Sequence, residues 1–302
     1  MSNTPYPNYE DTMHESREIA ALHPGLATYT EIGKSEEDRP LPLLTITDPG
    51  IPAAHKSVFL LSGGTDGSEE VGRAVALGLA RALLEPQHRT HLQRQVVLVA
   101  PVTNPDGCVR NHPDKAGNAR GVPATEVHLQ DRPPATAEGR AMRAFVEEWI
   151  PDAHIDFHGL AGGGMGDCAF LYPTVNAKWS IPILMEVEME LEEAGARAGF
   201  PQQGRPRLWW EPRYNLPGWL ARNYSSFCMV VEARRTTTPS RTASSRASFA
   251  CCDSWTLARR SASSRILRIT PAMWSAAAAW APSCPTERTT RNAASPVGKY
   301  RR

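Results

Sequence analysis

The feature that most constrains the fold is the segment Val58–Gly72, in which a strand of buried type runs directly into a helix. Its apolar residues end at Gly63 and Gly64, and two carboxylates, Asp66 and Glu69, follow three residues apart. Positions i and i+3 share a face of a helical turn, so both carboxylates can point at one cation from the end of the strand. The same pair also suits a helix start, with Asp66 as the N-cap and Glu69 completing a capping box.

A second short apolar strand, predicted at 153–157, ends in His158 beside Gly159. Two carboxylates and one imidazole, with a position left open for water, are the donor set of a hydrolytic metal site. Taken alone, the imidazole is equally consistent with a hydrogen-bonded core histidine. The metal interpretation therefore requires both strands to end at the same edge of one sheet.

Composition limits the class of protein. The 302 residues are 41% hydrophobic, enough for one sizeable α/β domain or two small ones. The net charge of +1 gives no reason to expect nucleic acid or a membrane surface as a partner. No apolar run approaches the roughly 20 residues that span a bilayer. The first residues lack a basic region followed by an apolar core, so we expect no secretory signal. The six cysteines form no Cys-x-x-Cys pair, so we expect a reduced, cytoplasmic protein.

The chain changes character at residue 236. Residues 236–302 hold ten Arg and one Lys against Asp253 and Glu287, a charge of +9, so the first 235 residues carry −8 of the total of +1. Three interpretations compete for this tail: a basic disordered arm, a small second domain and a shifted reading frame. Its tryptophans and adjacent cysteines are unusual in a disordered arm, and an apolar pattern for a second domain is missing.

We adopt the shifted frame for the tail, beginning near Arg234. GC-rich codons for Phe249–Leu257, read from the third base, encode Arg-Leu-Leu-Arg-Leu-Leu-Asp-Ala, which has the apolar spacing of an amphipathic helix. Residues 1–235 are then the folded domain, and resequencing the gene tests this interpretation.

Within the domain, strands alternate with helices. The patterns predict strands at 28–33, 41–47, 57–61, 95–100, 153–157, 169–172 and 227–231, and helices at 9–22, 69–84, 135–149 and 179–198. This order predicts a single α/β/α domain with a mixed, mostly parallel sheet. Ligands of such sheets bind beyond the carboxyl ends of the strands, where Asp66, Asn104, His158 and Glu232 fall.

The order of these motifs resembles the zinc carboxypeptidase family (M14-type metallocarboxypeptidases, or funnelins). Five segments carry the resemblance, which covers residues 8–233: Ile32-Gly33-Lys34-Ser35 with Arg39-Pro40-Leu41, Gly63–Gly72, Asn104-Pro105-Asp106-Gly107 with Arg110, Asp156-Phe157-His158-Gly159 and Met229-Val230-Val231-Glu232. Where this chain has Asp66, the family usually has histidine, in Gly-Gly-x-His-Gly-x-Glu-x-x-Gly.

The resemblance implies a role for each matching residue. The metal ligands become Asp66, Glu69 and His158, and Glu232 becomes the general base of a hydrolase that cleaves an amide bond with a metal-activated water. Arg110 or Lys115 would stabilise the oxyanion. Asn104 and Tyr214 fall where the family contacts its substrate. The implied cofactor is Zn²⁺, and the second carboxylate makes Mn²⁺ or Fe²⁺ alternatives.

The chain departs from the family where the substrate's terminal carboxylate is gripped. After its Asn-Pro-Asp-Gly segment, the family has Gly-Val-Asp-Leu-Asn-Arg, and the Asn-Arg pair of this run binds the substrate's terminal carboxylate. Here Asn118-Ala-Arg120-Gly-Val is followed by Pro-Ala, and Thr125 and Glu126 then stand at the positions of that pair. Glu126 would repel a carboxylate, and Arg110, Arg120 and Arg132 are the cations of this loop that would replace the lost clamp.

Three functions follow from these expectations. The first is a metal-dependent amide hydrolase acting on a peptide or small amide. The second is a catalytically degenerate relative that binds a ligand without hydrolysis, and the third is an amidase for N-acylated small molecules.

Overall fold

The computed structural model describes residues 6–110, 118, 122, 127–128, 130, 134–160, 168–173, 207–209 and 215–234. The predicted helix at 179–198 and the basic tail at 236–302 lie outside these residues. The prediction of two regions, 1–235 and 236–302, therefore remains a prediction.

Eight strands and six α-helices form the described part of the chain. The strands are β1 (Ala27–Lys34), β2 (Pro40–Ile46), β3 (Ser57–Gly63), β4 (Gln95–Ala100), β5 (Ala153–Leu160), β6 (Cys168–Pro173), β7 (Arg207–Trp209) and β8 (Phe227–Arg234). The helices are α1 (Tyr9–Leu22), α2 (Glu70–Leu83), α3 (Arg89–Leu92), α4 (Pro105–Arg110), α5 (Ala137–Trp149) and α6 (Leu216–Tyr224). Short 3₁₀ turns lie at Ala53–His55 and Pro86–His88.

All eight strands belong to one sheet, in the order β1-β2-β4-β3-β5-β8-β6-β7. The four central strands, β4, β3, β5 and β8, are parallel to one another, while β1, β2 and β6 join through antiparallel pairings. The predicted mixed, mostly parallel sheet is therefore confirmed. Because parallel strands end at the same edge, the residues that follow β3, β4, β5 and β8 meet there.

The sheet is covered on both faces, as alternation along the central strands requires. On one face, Phe59, Leu61 and Ile155 pack with apolar residues of α1 and α2. On the other, Leu60 and Leu98 pack with apolar residues of α5 and α6. The two cores hold the central strands rigidly between layers, so their carboxyl ends are fixed in position.

Two glycines permit the close contacts that shape this edge. A methyl group at Gly72 in α2 would lie 2.1 Å from the carbonyl oxygen of Phe157 in β5. A methyl group at Gly67 would lie 2.0 Å from the carbonyl carbon of Gly107 in α4. Real Cβ atoms do not approach this closely, so only glycine lets α2 press against β5 and the loop after β3 press against α4. These contacts bring the start of α2 next to His158.

Two parts of the domain differ from the sequence-based expectation. Helix α4 lies where no helix was predicted, and β7 and α6 were not predicted either. Helix α6 carried a readable signal, since the side chain of Asn215 caps Gly218 N and Pro217 lies in the first turn. The three-residue β7 carried none, because so short a strand shows no alternation.

Candidate metal centre

The carboxyl edge of the central strands brings together two of the three predicted ligands. Glu69 is the N-cap residue of α2, but its side chain makes no capping hydrogen bond. Instead, Glu69 Oε2 lies 2.8 Å from Nδ1 of His158 on β5. Both side chains are mostly buried. The carboxylate oxygen and the ring nitrogen are thus close enough to form an ion pair when the imidazole is protonated.

The other ring nitrogen of His158 is held from behind. Nε2 lies 2.9 Å from Oδ2 of Asp156, which is buried two residues earlier on the same strand. Asp156 also accepts hydrogen bonds from Ser62 Oγ at 2.6 Å and from Thr65 Oγ1 at 3.2 Å. The carboxylate of Asp156 is therefore fully engaged by β3, the loop after β3 and β5.

The charges of this group are strongly coupled. Burial alone would raise the pKa of Asp156, but the adjacent His158, the hydrogen bonds from His158 and Ser62, and His154 hold it well below its usual value. Burial alone would lower the pKa of His158, but Asp156 and Glu69 raise it well above its usual value. In the metal-free protein, a cationic imidazole between two carboxylates is thus the favoured charge state.

Two further histidines lie beneath this group, and both are buried. His154 Nε2 lies 2.8 Å from Ser62 Oγ, and His128 Nε2 lies 3.0 Å from the carbonyl oxygen of Thr103. Burial lowers the pKa of both imidazoles to about 4, although the charge of Asp156 opposes it. Both rings are therefore neutral near pH 7.

Acidification is expected to destabilise the protein because of His128 and His154. Their pKa of about 4 in the folded state lies below the ordinary 6.5, so below pH 7 the unfolded chain binds protons that the folded protein does not. As the pH falls from 7 to 6, these two rings together should lower the free energy of unfolding by about 1 kcal/mol, whereas His158, whose pKa is raised in the folded state, acts in the opposite direction. Urea denaturation at a series of pH values measures this slope.

His154→Gln separates the contribution of one ring. Its side-chain amide can still donate to Ser62, while one titrating group is removed. The difference in bound protons between the unfolded and folded states, which sets the slope of stability against pH, should therefore decrease by up to about one. His14→Gln, at an exposed position of α1, is the matched control. An unchanged slope in His154→Gln would contradict the assignment of a neutral buried imidazole.

Asp66, the third predicted ligand, is engaged elsewhere. Its Oδ1 accepts hydrogen bonds from the backbone N of Ser68 at 3.1 Å and from Ser68 Oγ at 2.8 Å. Among the residues that the structure describes, no three His, Cys, Asp or Glu side chains are grouped closely enough to hold a metal ion. Asp66 thus closes a local turn before α2, and its role as a ligand is not confirmed.

Asn104 and Arg110 both take part in the framework around the edge. Asn104 is buried; its Nδ2 donates to the carbonyl oxygen of Thr65 at 3.1 Å, and its Oδ1 accepts from Gly107 N at 3.0 Å. Arg110 Nη2 donates to Glu37, in the turn between β1 and β2. Asn104 therefore ties the loop after β3 to α4, and Arg110 ties α4 to the edge of the sheet.

The predicted general base lies on the neighbouring strand. In the parallel pairing of β5 with β8, the register partner of His158 is Glu232. The remaining predicted residues of the site, Lys115, Arg120, Thr125, Glu126, Arg132 and Tyr214, lie outside the described part of the chain.

Asp156, Ser62 and His154 were missed as members of the site. A signal was present, because His154, Asp156 and His158 alternate with apolar residues along a strand that the sheet buries. Three polar residues on one face of a central strand need partners, and a polar layer supplies them. His128 had no such signal, because its surroundings in sequence show no periodicity.

Within the described residues, no helix combines the length and the apolar character needed to cross a membrane.

The chain has recognisable relatives. Residues 13–121 match the sequence profile of the family described as zinc carboxypeptidase. Carboxypeptidase A2 of Mus musculus is 32% identical over 109 residues, and that of Rattus norvegicus is 30% identical over the same length. Each match covers 34% of this chain and 25% of the relative, so the chain matches about a quarter of the length of these curated relatives.

Solved structures extend the likeness to the whole sheet. Carboxypeptidase A from Helicoverpa armigera superposes with a TM-score of 0.72 at 16% identity, covering 93% of this chain and 78% of that one. A metallo-carboxypeptidase from Burkholderia cenocepacia gives 0.66 at 17% identity, covering 88% and 68%. At such identities the likeness shows the fold alone. His158 and Glu232 lie beyond the matched sequence segment, so their correspondence depends on the fold.

The expected resemblance is confirmed by sequence over residues 13–121, which hold Asp66 and Glu69, and by the fold of the sheet. An aspartate as metal ligand in place of the family's histidine remains a prediction.

Proposed function

We propose that the protein is a metal-dependent hydrolase of amide bonds. One observation carries the proposal: Oε2 of Glu69 and Nδ1 of His158, on mostly buried side chains, lie 2.8 Å apart at the carboxyl edge of the parallel strands. A carboxylate oxygen and an imidazole nitrogen placed in this way are two donors that one divalent cation can share when the imidazole is neutral. The match of residues 13–121 to the zinc carboxypeptidases supports the same function.

The side chains fit a metal ion in part. Glu69 and His158 present an oxygen and a nitrogen donor, and the nitrogen is backed by Asp156, as the ring of a metal-bound histidine usually is. Asp66 would be the third ligand once its hydrogen bonds from Ser68 are broken. Zn²⁺ bound there would lower the pKa of its water toward about 7 and polarise a carbonyl group. Two carboxylates make Mn²⁺ or Fe²⁺ alternative occupants.

The protein's own residues supply the proton chemistry and the charge. Glu232, the register partner of His158, takes the proton of the attacking water and returns it to the leaving amine. Arg110 would stabilise the oxyanion once it parts from Glu37. Arg110 would therefore take this role only in the substrate-bound protein, after its exposed ion pair with Glu37 is broken.

The proposed substrate class follows from the sequence after α4. Thr125 and Glu126 stand where the family's clamp for a terminal carboxylate would be, and Glu126 would repel such a group. We therefore propose a peptide or small amide whose terminal carboxylate is absent or bound by another cation. An amidase for N-acylated small molecules is the related alternative.

A second function is favoured by the state of Asp66. Its carboxylate is held by two hydrogen bonds from Ser68, in the position where the family has an imidazole. A chain that keeps this arrangement would bind a ligand on the carboxypeptidase-like fold without hydrolysing it.

Metal content and turnover decide between the two functions. The purified protein is equilibrated with Zn²⁺, Mn²⁺ or Fe²⁺, its bound metal is measured by mass spectrometry, and hydrolysis is assayed with free peptides, amidated peptides and N-acyl amino acids. One metal per chain and turnover of an amide support the hydrolase. Protein without stoichiometric metal or turnover contradicts it and supports the binding protein.

Glu69→Gln tests the metal site itself. Removing the anionic oxygen should lower metal affinity at least about tenfold, because a neutral amide is a weaker donor than a carboxylate. Glu18→Gln, exposed on α1, is the matched control and should bind metal as the parent does. Equal affinities in all three proteins would remove Glu69 from the site.

A further inference from the structure

We infer that Arg73 is a positioning residue that holds the loop between β3 and α2, residues 64–69, where Glu69 faces His158. The inference rests on the proposed metal site and deepens it, because it assigns what fixes the loop that carries two of the three proposed ligands. Arg73 itself would touch neither metal nor substrate.

The burial of Arg73 is the first observation. It lies near the start of α2 and is the largest fully buried side chain in the described part of the chain. Burying a guanidinium costs free energy unless its N–H groups are hydrogen-bonded. An apolar side chain of similar length would fill the same space without this cost, so packing alone does not account for an arginine at this position.

The guanidinium joins two separate segments through their main chains. Nη1 donates to the carbonyl oxygen of Gly67 at 2.9 Å, and Nε donates to that of Pro7 at 3.2 Å. Gly67 lies in the loop between Asp66 and Ser68, whereas Pro7 belongs to the segment that precedes α1. Arg73 therefore ties the loop to a second part of the chain.

The segment around Pro7 is itself fixed, so it can serve as an anchor. On one side of it, Tyr6 is buried in a cluster with Val71 and Ala74 of α2. On the other side, Asn8 is the N-cap residue of α1. The carbonyl group of Pro7 is thus held between a packed aromatic ring and the start of a helix.

The stem of Arg73 and the backbone of α4 support the rest of the loop. A methyl group at Gly64, where φ is +63°, would lie 3.0 Å from Cγ of Arg73, so the start of the loop rests on the arginine. Gly67 packs against the backbone of Gly107. With its carbonyl oxygen on Arg73 and its α-carbon against α4, Gly67 is fixed on two sides, two residues before Glu69.

The placement of metal ligands depends on such support. Ligands have to be held within about 0.5 Å of their productive positions, and loss of the outer contacts that orient them costs about 10- to 100-fold in metal affinity. Without the guanidinium, two main-chain carbonyl oxygens would lose a donor. The loop should then open locally before the sheet does.

The test compares Arg73→Met and Arg73→Lys with Arg81→Met. Methionine fills the space of the stem but donates no hydrogen bond, whereas lysine keeps the charge and one donor group. Arg81, half-exposed further along α2 and paired with Glu15, provides the matched control. Hydrogen exchange of the amides of residues 66–69, relative to those of β4, is measured in the metal-free protein. Zn²⁺ affinity is measured by competition with a chromophoric chelator.

We expect the loop amides of Arg73→Met to exchange at least about tenfold faster, with those of β4 changed less. Zn²⁺ should bind about 10- to 100-fold more weakly. Arg73→Lys should lie closer to the parent than Arg73→Met in both measurements, and Arg81→Met should match the parent.

Equal acceleration of the loop and β4 amides, with parental Zn²⁺ affinity, would reveal a general loss of stability and overturn the inference. If Arg73→Met does not fold, Arg73→Gln replaces it, because its amide is too short to reach both carbonyl groups. Parental loop exchange and parental Zn²⁺ affinity in that protein likewise overturn the inference.

The two proposals fail in different ways. A parent protein that binds no metal, yet shows selectively faster loop exchange in Arg73→Met, supports the positioning role and contradicts the hydrolase. A parent protein that binds Zn²⁺, with loop exchange and affinity unchanged in Arg73→Met, overturns the positioning role and leaves the hydrolase standing.

Discussion

Replacing Glu232 with Gln should lower kcat for the best amide substrate by about 100- to 10,000-fold, the range that a general acid–base catalyst contributes. The amide is close in shape to the carboxylate but cannot take a proton from the attacking water. Glu232 is the register partner of His158 across β5 and β8, and the substitution changes its charge with little change of shape. Steady-state kinetics with metal-loaded protein measures the loss.

Metal content makes the result interpretable. Because Glu232 is proposed as a base and not as a ligand, Glu232→Gln should retain one metal per chain, and Glu18→Gln should retain full turnover. Parental kcat in Glu232→Gln would exclude Glu232 as the base. Loss of metal together with turnover would assign the residue to the metal instead.

Gly72→Ala is expected to destabilise the fold by about 2–3 kcal/mol or more. The new methyl group would lie 2.1 Å from the carbonyl oxygen of Phe157, and backbone cannot rotate away as a side chain can. Helix α2 would have to move away from β5. The free-energy cost of this displacement outweighs the gain of up to about 1 kcal/mol that alanine gives in a helix. The midpoint of urea unfolding, with the slope checked for constancy, measures the change.

Gly78→Ala supplies the matched control in the same helix. Gly78 is only partly buried, so the helix preference of alanine should leave stability equal or raise it by up to about 1 kcal/mol. If Gly72→Ala is as stable as Gly78→Ala, the packing of α2 on β5 is looser than the structure shows. A displaced α2 would also carry Glu69 away from His158, so the destabilised protein should bind metal more weakly.

Much of the fold was predictable because its central strands are buried on both faces. The predicted helix at 9–22 and strand at 95–100 coincide with α1 and β4. Apolar runs such as Val58–Leu61 and Gln95–Ala100 are long enough to fix strand positions, and a Gly-Gly pair or a proline marks where each ends. The order of strands in the sheet was not readable, because β6 returns antiparallel beside β8 through contacts distant in sequence.

Within the candidate site, the sequence predicted only those residues whose type has one main role in its motif. Glu69 and His158 meet as the motifs predict. The position of the Asp66 side chain depends on Ser68, because the backbone N and the Oγ of Ser68 both donate to this short carboxylate. The buried layer of Asp156, Ser62 and His154 depends on the pairing of β3 with β5, which local sequence does not encode.

The backbone contact of Gly67 with Gly107 has a consequence for how such proteins diverge. The loop after β3 and helix α4 touch through main-chain atoms and share the side chain of Asn104, so neither can change length without displacing the other. Replacements of side chains are the changes that this corner accepts without a shift of the backbone.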